Sequence, residues 1–250
     1  VHLAAGAAGM YCGSCMHDNR LVAALREQGH DAVLLPLYTP LRTDEPNVSV
    51  PRLYFGGLNV YLQHASRWFR GTPAFLDRVL DHPLLLRALG ALAGSAQPEA
   101  LGALTVSTLR GADGPLRKEV HKLIAGLRTL SPGLIHLPNL MFVGLARSLK
   151  AALGVPVLCG LAGEDLFLDA LPEPHQSAAL ELIRAAATDL DGFVALNQYY
   201  AGRATARYGL PVDRVHILPM GIRTADFDPP AAPPETPFTI GYLARLCPAK

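Results

Sequence analysis

Cysteine is scarce here, long apolar runs are missing, and charge is balanced; each shortage excludes a class of protein. Four cysteines occur in 250 residues, at positions 12, 15, 159 and 247. They do not form the dense disulfide framework of a small secreted domain and fit reduced thiols in a cytoplasmic enzyme. No run of lysine and arginine occurs, and the formal net charge is +1. The broad electrostatic footprint of a nucleic-acid binder is therefore missing, although phosphate can still bind at one local site. No uncharged apolar stretch reaches the roughly 20 residues of a spanning helix. The most apolar region, residues 83–96, carries Arg87 and the glycines 90 and 94, and reads as a packed surface helix with peripheral membrane contact left open. No signal peptide and no initiator Met open the chain, which starts inside an apolar run, so further residues are expected upstream.

What is present is apolar material: 50% of the residues are hydrophobic, enough for a sizeable core. The richness in Ala, Leu, Arg and Gly suggests a GC-rich bacterial genome. Short apolar runs alternate with longer amphipathic stretches. Residues 1–5 read as a strand, 6–15 as a Gly-rich loop, 17–28 as a helix with Leu21, Val22 and Leu25 on its apolar face, and 31–37 as the next apolar run. Asp18 and Asn19 suit the start of that helix and Gly29 its end. This is a βαβ unit, which implies a parallel sheet with right-handed crossovers. Residues 48–55 read as a further strand, and GGLNVYLQ after it as a turn leading into a helix. Residues 72–128 read as a broken helical insertion. The alternation then resumes, with strands at 134–137, 155–160, 193–196 and 215–219 and helices at 140–153, 174–189 and 198–208. The expected fold is α/β, a Rossmann-like parallel sheet flanked by helices, with a helical insertion. Five prolines in nine residues, 229–237, cannot form a helix or a central strand and read as an extended linker. A new strand begins at Phe238.

Several residue groups stand where ligands bind in such a fold. Glycines after a first strand let backbone amides approach a ligand, and the following helix offers its positive end. The loop 6–15 is thus either a ligand cradle or a tight structural turn. Its spacing is not GxGxxG, which disfavours a nucleotide-dependent oxidoreductase. Cys12 and Cys15 form a CxxC with His17 two residues on. That trio admits a zinc site with one more ligand, a redox pair, or small side chains lining a cleft beside Tyr11 and His17. The last is preferred, with no metal. Glu164 and Asp165 follow a strand at its C-terminal end, where open α/β sheets bind ligands; they either contact a substrate or cap the short helix after them. Asn139 and Asn197 also follow strands and suit either acceptor binding or helix caps. His2 and His136 read as core histidines. Tyr54, Phe55, Tyr61, Trp68 and Phe69 read as core aromatics or, alternatively, as a stacking surface for a sugar or lipid acceptor.

The final segment, GYLARLCPAK, resembles the opening strand and loop of the C-terminal domain of family 4 glycosyltransferases. Those enzymes are retaining and have the GT-B architecture of two facing Rossmann-like domains. Three further segments are similar to that family in order: the first βαβ unit with its Gly-rich turn, the unit LIHLPNLMFVGLARSLKAALGVPVLCGLAGEDLF, and VALNQYYAGRATARYGLPVDRVHILPMGI. The chain departs from the family's common pattern in having no His after the strand at 155–160 and in the two cysteines of its first loop.

The resemblance implies an acceptor-side domain at 1–228, a linker at 229–237, and the start of a nucleotide-sugar-binding domain at 238–250. It implies transfer of a hexosyl group from a nucleotide-diphosphate sugar, as co-substrate, to a hydroxyl of a carbohydrate or lipid-linked acceptor, without a required cofactor or metal. Arg245 and Lys250, with Gly9 and Gly13, are the implied contacts to the donor diphosphate, where positive charge stabilises the leaving group. Glu164, Asp165 and His17 are the catalytic candidates, and Tyr11, His17, Asn139 and Asn197 the acceptor-binding ones. The rival function is a non-catalytic binding module on the same fold.

Overall fold

The computed structural model describes residues 1–7, 10–73, 76, 77, 80, 98–224, 240 and 241. The chain divides into two compact units, Val1–Met220 and Gly221–Lys250. Gly9, most of the stretch 74–97, the Pro-rich run 229–237, Arg245 and Lys250 lie outside the described residues.

The first unit is built on a six-stranded, wholly parallel sheet: β1 His2–Ala4, β2 Leu34–Pro36, β3 Ile135–Leu137, β4 Val157–Leu161, β5 Gly192–Ala195 and β6 Val215–Ile217. The strand order is β2-β1-β3-β4-β5-β6. Eight described α-helices connect or flank them: α1 Gly13–Glu27, α2 Gly57–Ala65, α3 Pro98–Leu109, α4 Arg117–Leu130, α5 Ala146–Leu153, α6 Asp165–Asp169, α7 His175–Ala187 and α8 Gln198–Tyr208. This is the expected α/β, Rossmann-like arrangement.

The two faces of the sheet are finished differently. Strand side chains alternate between faces. Leu3, Ile135, Leu137, Val157, Cys159, Phe193 and Ala195 point to one side and are fully buried in the main core. On the other side His2, Ala4 and Leu34 meet α1, whose Cys15 and Val22 join Ala4 and Leu34 in a small second cluster. Further along that face, Leu158 and Val194 are half-buried and His216 is exposed. Right-handed crossovers explain the asymmetry. The step from β1 out to β2 runs opposite to the steps from β3 to β6, so the intervening helices fall on opposite faces.

Three expectations are corrected. The stretch 48–55 forms a single parallel bridge, Ser49 to Leu34, and no strand; Pro46 and Pro51 remove ladder donors on either side. Helix α1 begins at Gly13, four residues before the expected start, so Asp18 and Asn19 are buried in its second turn and do not sit at its N-terminus. Its buried face is Cys15, Asp18, Asn19 and Val22. That is a run at helical spacing, and it turns toward β1 and β2. Leu21 and Leu25 line a cavity of about 570 Å³ with His2, His136, Val194 and Leu218. Finally, Leu140–Leu145 is a 3₁₀ helix, and the α-helix starts only at Ala146. Gly29 and Gly154 stand at helix ends with positive φ, as their positions imply.

Candidate functional site

Strand order locates the crevice. β1 is flanked by β2 and β3, so chain direction across the sheet reverses between β1 and β3. Ligands in open parallel sheets bind outside the C-terminal strand ends at such a reversal. The segments that end there are the loop after β1, running to Cys12, and Asn139 after β3.

The loop after β1 is held close to the loop after β2. Gly6 has φ +80°, and a Cβ there would lie 2.5 Å from the Thr39 carbonyl oxygen, so only glycine fits. Beyond it Tyr11 is 51% exposed, with the Arg42 guanidinium 4.4 Å from its ring centre. Gly13 opens α1 with nothing within 4 Å of where a Cβ would stand. No acidic residue sits in the first turn of this helix, so no carboxylate of that turn offsets its positive end.

His17 lies one turn further along α1. Its Nδ1 is 3.5 Å from Asp18 Oδ1, and its side chain keeps 24% exposure. Behind it, Asp18 Oδ1 is 3.0 Å from His2 Nε2, and both side chains are buried. The His2 ring stacks on His136 at 4.5 Å. His136 is held neutral: burial lowers its pKa to about 3, and its Nδ1 has no hydrogen-bond partner. It is therefore a stacked histidine whose Nδ1 is left unsatisfied, where a satisfied core histidine was expected. Burial by itself pushes the Asp18 carboxyl up, but the close approach of the His17 and His2 imidazoles outweighs it and holds the carboxyl below its ordinary range. A solvent-reaching imidazole backed by a buried carboxylate is oriented by that contact and can accept or donate a proton at its other nitrogen.

This buried pairing has a consequence for stability. A carboxyl with a depressed folded pKa stabilises the fold above its unfolded pKa, ordinarily 3.8, and that contribution disappears as pH falls through the folded value. Asp18→Asn should therefore destabilise the protein at pH 7 by about 1–3 kcal/mol. It should also flatten the loss of stability on acidification below pH ~4. Urea midpoints measured from pH 7 to 3 check this; parallel curves for the two proteins would show that Asp18 is not the group concerned.

Glu164 and Asp165 are brought to the same edge of the sheet but are already engaged. Glu164 Oε1 accepts from the Leu140 amide at 3.2 Å, and Oε2 accepts from the Ala162 amide at 2.8 Å and the Tyr200 hydroxyl at 3.2 Å. Burial raises its pKa, against the pull of those donors. Asp165 is buried and pairs with Arg203 of α8. Burial opposes its charge, but the Arg203 hydrogen bond and charge win, and the carboxyl is held low. Glu164, at the N-cap position of the short helix, makes no side-chain cap bond, whereas the Asp165 carboxylate is also drawn down by the Leu166 amide of that helix; together they tie the loop after β4 to the 3₁₀ helix and to α8.

Asn139 and Asn197 serve as N-caps. Their Oδ1 atoms accept from the amides of Met141 at 3.0 Å and Tyr200 at 2.8 Å. The five aromatics do not gather into one surface. Phe55 is fully buried beside Tyr38, whereas Tyr61 is 54% and Trp68 87% exposed. The residue that sequence reading missed is Asp18: its signal was a carboxylate at the fourth position of an apolar helical stripe, directly after His17. Among the described residues, no three His, Cys, Asp or Glu side chains gather in a metal-holding group, and no helix is long and apolar enough to cross a membrane. Compared with known protein families and with curated proteins, the chain matches neither a family nor a curated sequence.

Proposed function

We propose that this chain is the acceptor-side part of a retaining glycosyltransferase, working with a nucleotide-diphosphate sugar. The observation that carries the reading is the composition of the crevice at the β1/β3 reversal. His17 is oriented by buried Asp18, Tyr11 is exposed in the loop before α1, and the positive end of α1, with no acidic residue in its first turn, lies open at Gly13. An aromatic face and an oriented imidazole suit a sugar hydroxyl, and an open helix N-terminus suits a phosphate. The order of the four sequence segments similar to family 4 glycosyltransferases supports the same reading. Arg245 and Lys250 would then neutralise the departing diphosphate, while His17 positions the acceptor hydroxyl.

Release of nucleoside diphosphate by the full-length protein, followed across a panel of nucleotide sugars with simple glycoside and lipid-linked acceptors, tests this. Release should require both co-substrates. Arg245→Ala should lower kcat/KM for the donor by about 10–150-fold, the worth of one charge-assisted phosphate contact, without a matching loss of thermal stability. An Arg245→Ala protein with unchanged donor kinetics, or a full-length protein that turns over no nucleotide sugar in the panel, would overturn the reading.

A further inference from the structure

The CxxC at the mouth of the crevice is not used by the proposed transfer chemistry, and its placement on α1 gives it a chemistry of its own. Cys12 is the N-cap of α1, in extended conformation, and Cys15 closes the first turn. Cα atoms three residues apart at a helix start lie about 5–6 Å from one another, inside the roughly 4.4–6.8 Å that a disulfide spans. Both side chains belong to the same small apolar cluster, so neither has to leave its place to meet the other. Their access differs. Cys12 is half-buried at the loop, whereas Cys15 is 2% exposed. One thiol can be reached by a small molecule and the other only by its neighbour.

We propose that Cys12 and Cys15 form a reversible dithiol–disulfide pair, in which Cys12 attacks the disulfide of a small thiol compound and Cys15 resolves the adduct. In the first step the Cys12 thiolate attacks one sulfur of RSSR, the S–S bond breaks, and RS⁻ leaves with the electron pair. In the second, Cys15 gives up its proton to solvent or to the released thiolate and attacks Cys12 Sγ, expelling the second RS⁻. The two cysteines are oxidised by two electrons and RSSR is reduced to two RSH, so no other oxidant is needed.

The local electrostatics favour this division of labour. A hydrogen bond from Cys15 pulls the Cys12 thiol down, burial works against it, and the amides of Cys15 and Ser14 add to the pull; the balance is about 5. The Cys15 thiol is raised well above its usual range, first by its bond to Cys12 and then by burial. A helix N-terminus without an acidic residue in its first turn stabilises a thiolate in the same direction. Cys159 takes no part: it is fully buried in the main core and its thiol donates to the Gly160 carbonyl.

The test uses glutathione disulfide as the probe and reads intact mass and the remaining alkylatable thiols. The wild-type protein should lose two hydrogens in mass and protect both Cys12 and Cys15 from maleimide, and dithiothreitol should reverse both changes. Cys15→Ser should stop at the first step, gaining one glutathionyl group on Cys12. Cys12→Ser should leave Cys15 unmodified. At pH 6 the Cys12 thiol of the Cys15→Ser protein should react with iodoacetamide about 10-fold faster than a free thiol, the larger thiolate fraction outweighing its lower nucleophilicity. If excess glutathione disulfide leaves both cysteines of the wild type alkylatable, or if Cys15→Ser gains no adduct, the proposal fails. None of these readouts involves sugar transfer.

Discussion

Replacing Gly144 by alanine should unfold this protein more readily than any conservative change on its surface. The 3₁₀ helix Leu140–Leu145 crosses the turn after α3 with backbone against backbone. A Cβ on Gly144 would stand 2.1 Å from the Leu109 carbonyl oxygen, and a Cβ on Gly111 would stand 2.0 Å from the Gly144 carbonyl oxygen. Neither oxygen is the end of a flexible side chain, so relief requires moving α3 or the 3₁₀ helix bodily. Gly111 also has φ +52°, where any other residue is strained by about 1–2 kcal/mol. We expect Gly144→Ala and Gly111→Ala each to cost about 3–5 kcal/mol, a drop in Tm of roughly 10 °C or more for a chain of this size. Gly202→Ala is the internal comparison. It lies exposed inside α8 with nothing within 4 Å of its Cβ position, and should stabilise by about 0.5–1 kcal/mol. Calorimetry of the three variants decides it; a Gly144→Ala protein within about 1 kcal/mol of wild type would mean that the two backbones do not approach this closely.

The second large effect is expected at Glu164. Its two oxygens receive three donors from three segments: the Leu140 and Ala162 amides and the Tyr200 hydroxyl. Glu164→Ala strands those donors in a buried site and leaves a void, at about 3–5 kcal/mol. Glu164→Gln keeps one acceptor oxygen and the shape, and should cost less, about 1–3 kcal/mol. The two should also differ in pH dependence. Because burial raises the folded pKa of Glu164, its titration stabilises the fold fully below the unfolded pKa, and that contribution is lost as pH rises through the folded value. Glu164→Gln should remove that slope while leaving the opposite, acid-side slope of Asp18 in place. Denaturant titrations at several pH values separate the two; an unchanged alkaline-side slope in Glu164→Gln would assign the titration elsewhere.

The carboxylate pair shows how far a linear reading reaches. Glu164 and Asp165 were legible as strand-end carboxylates, because an apolar strand followed by Gly-Glu-Asp marks the ligand-binding edge of a parallel sheet. Their engagement was not legible. It depends on Tyr200 and Arg203, which are 36 and 38 residues away in sequence and arrive only when α8 docks. The same holds for Asp18. Its position beside His17 was visible, but its partner His2 comes from β1, on which α1 must first fold back.

The stretch 48–55 failed for a different reason. Its apolar residues have strand propensity, yet pairing depends on donors that Pro46 and Pro51 cannot supply, and a single bridge to Leu34 is what remains. Propensity describes a residue, whereas a ladder needs a partner edge.

The alternation of apolar strands and amphipathic helices determined the parallel α/β architecture by itself, because a short apolar run and a one-faced helix each have one stable way to be buried. It also determined the positions of the helix-ending glycines 29 and 154 and of the Gly-rich first loop, since these are set by backbone sterics within a few residues. The tertiary structure decided the strand order, and with it the reversal between β1 and β3. It decided which face of the sheet α1 covers, and which polar side chains at the crevice are already engaged. Those outcomes depend on contacts between residues far apart in the chain, whose geometry no local pattern encodes.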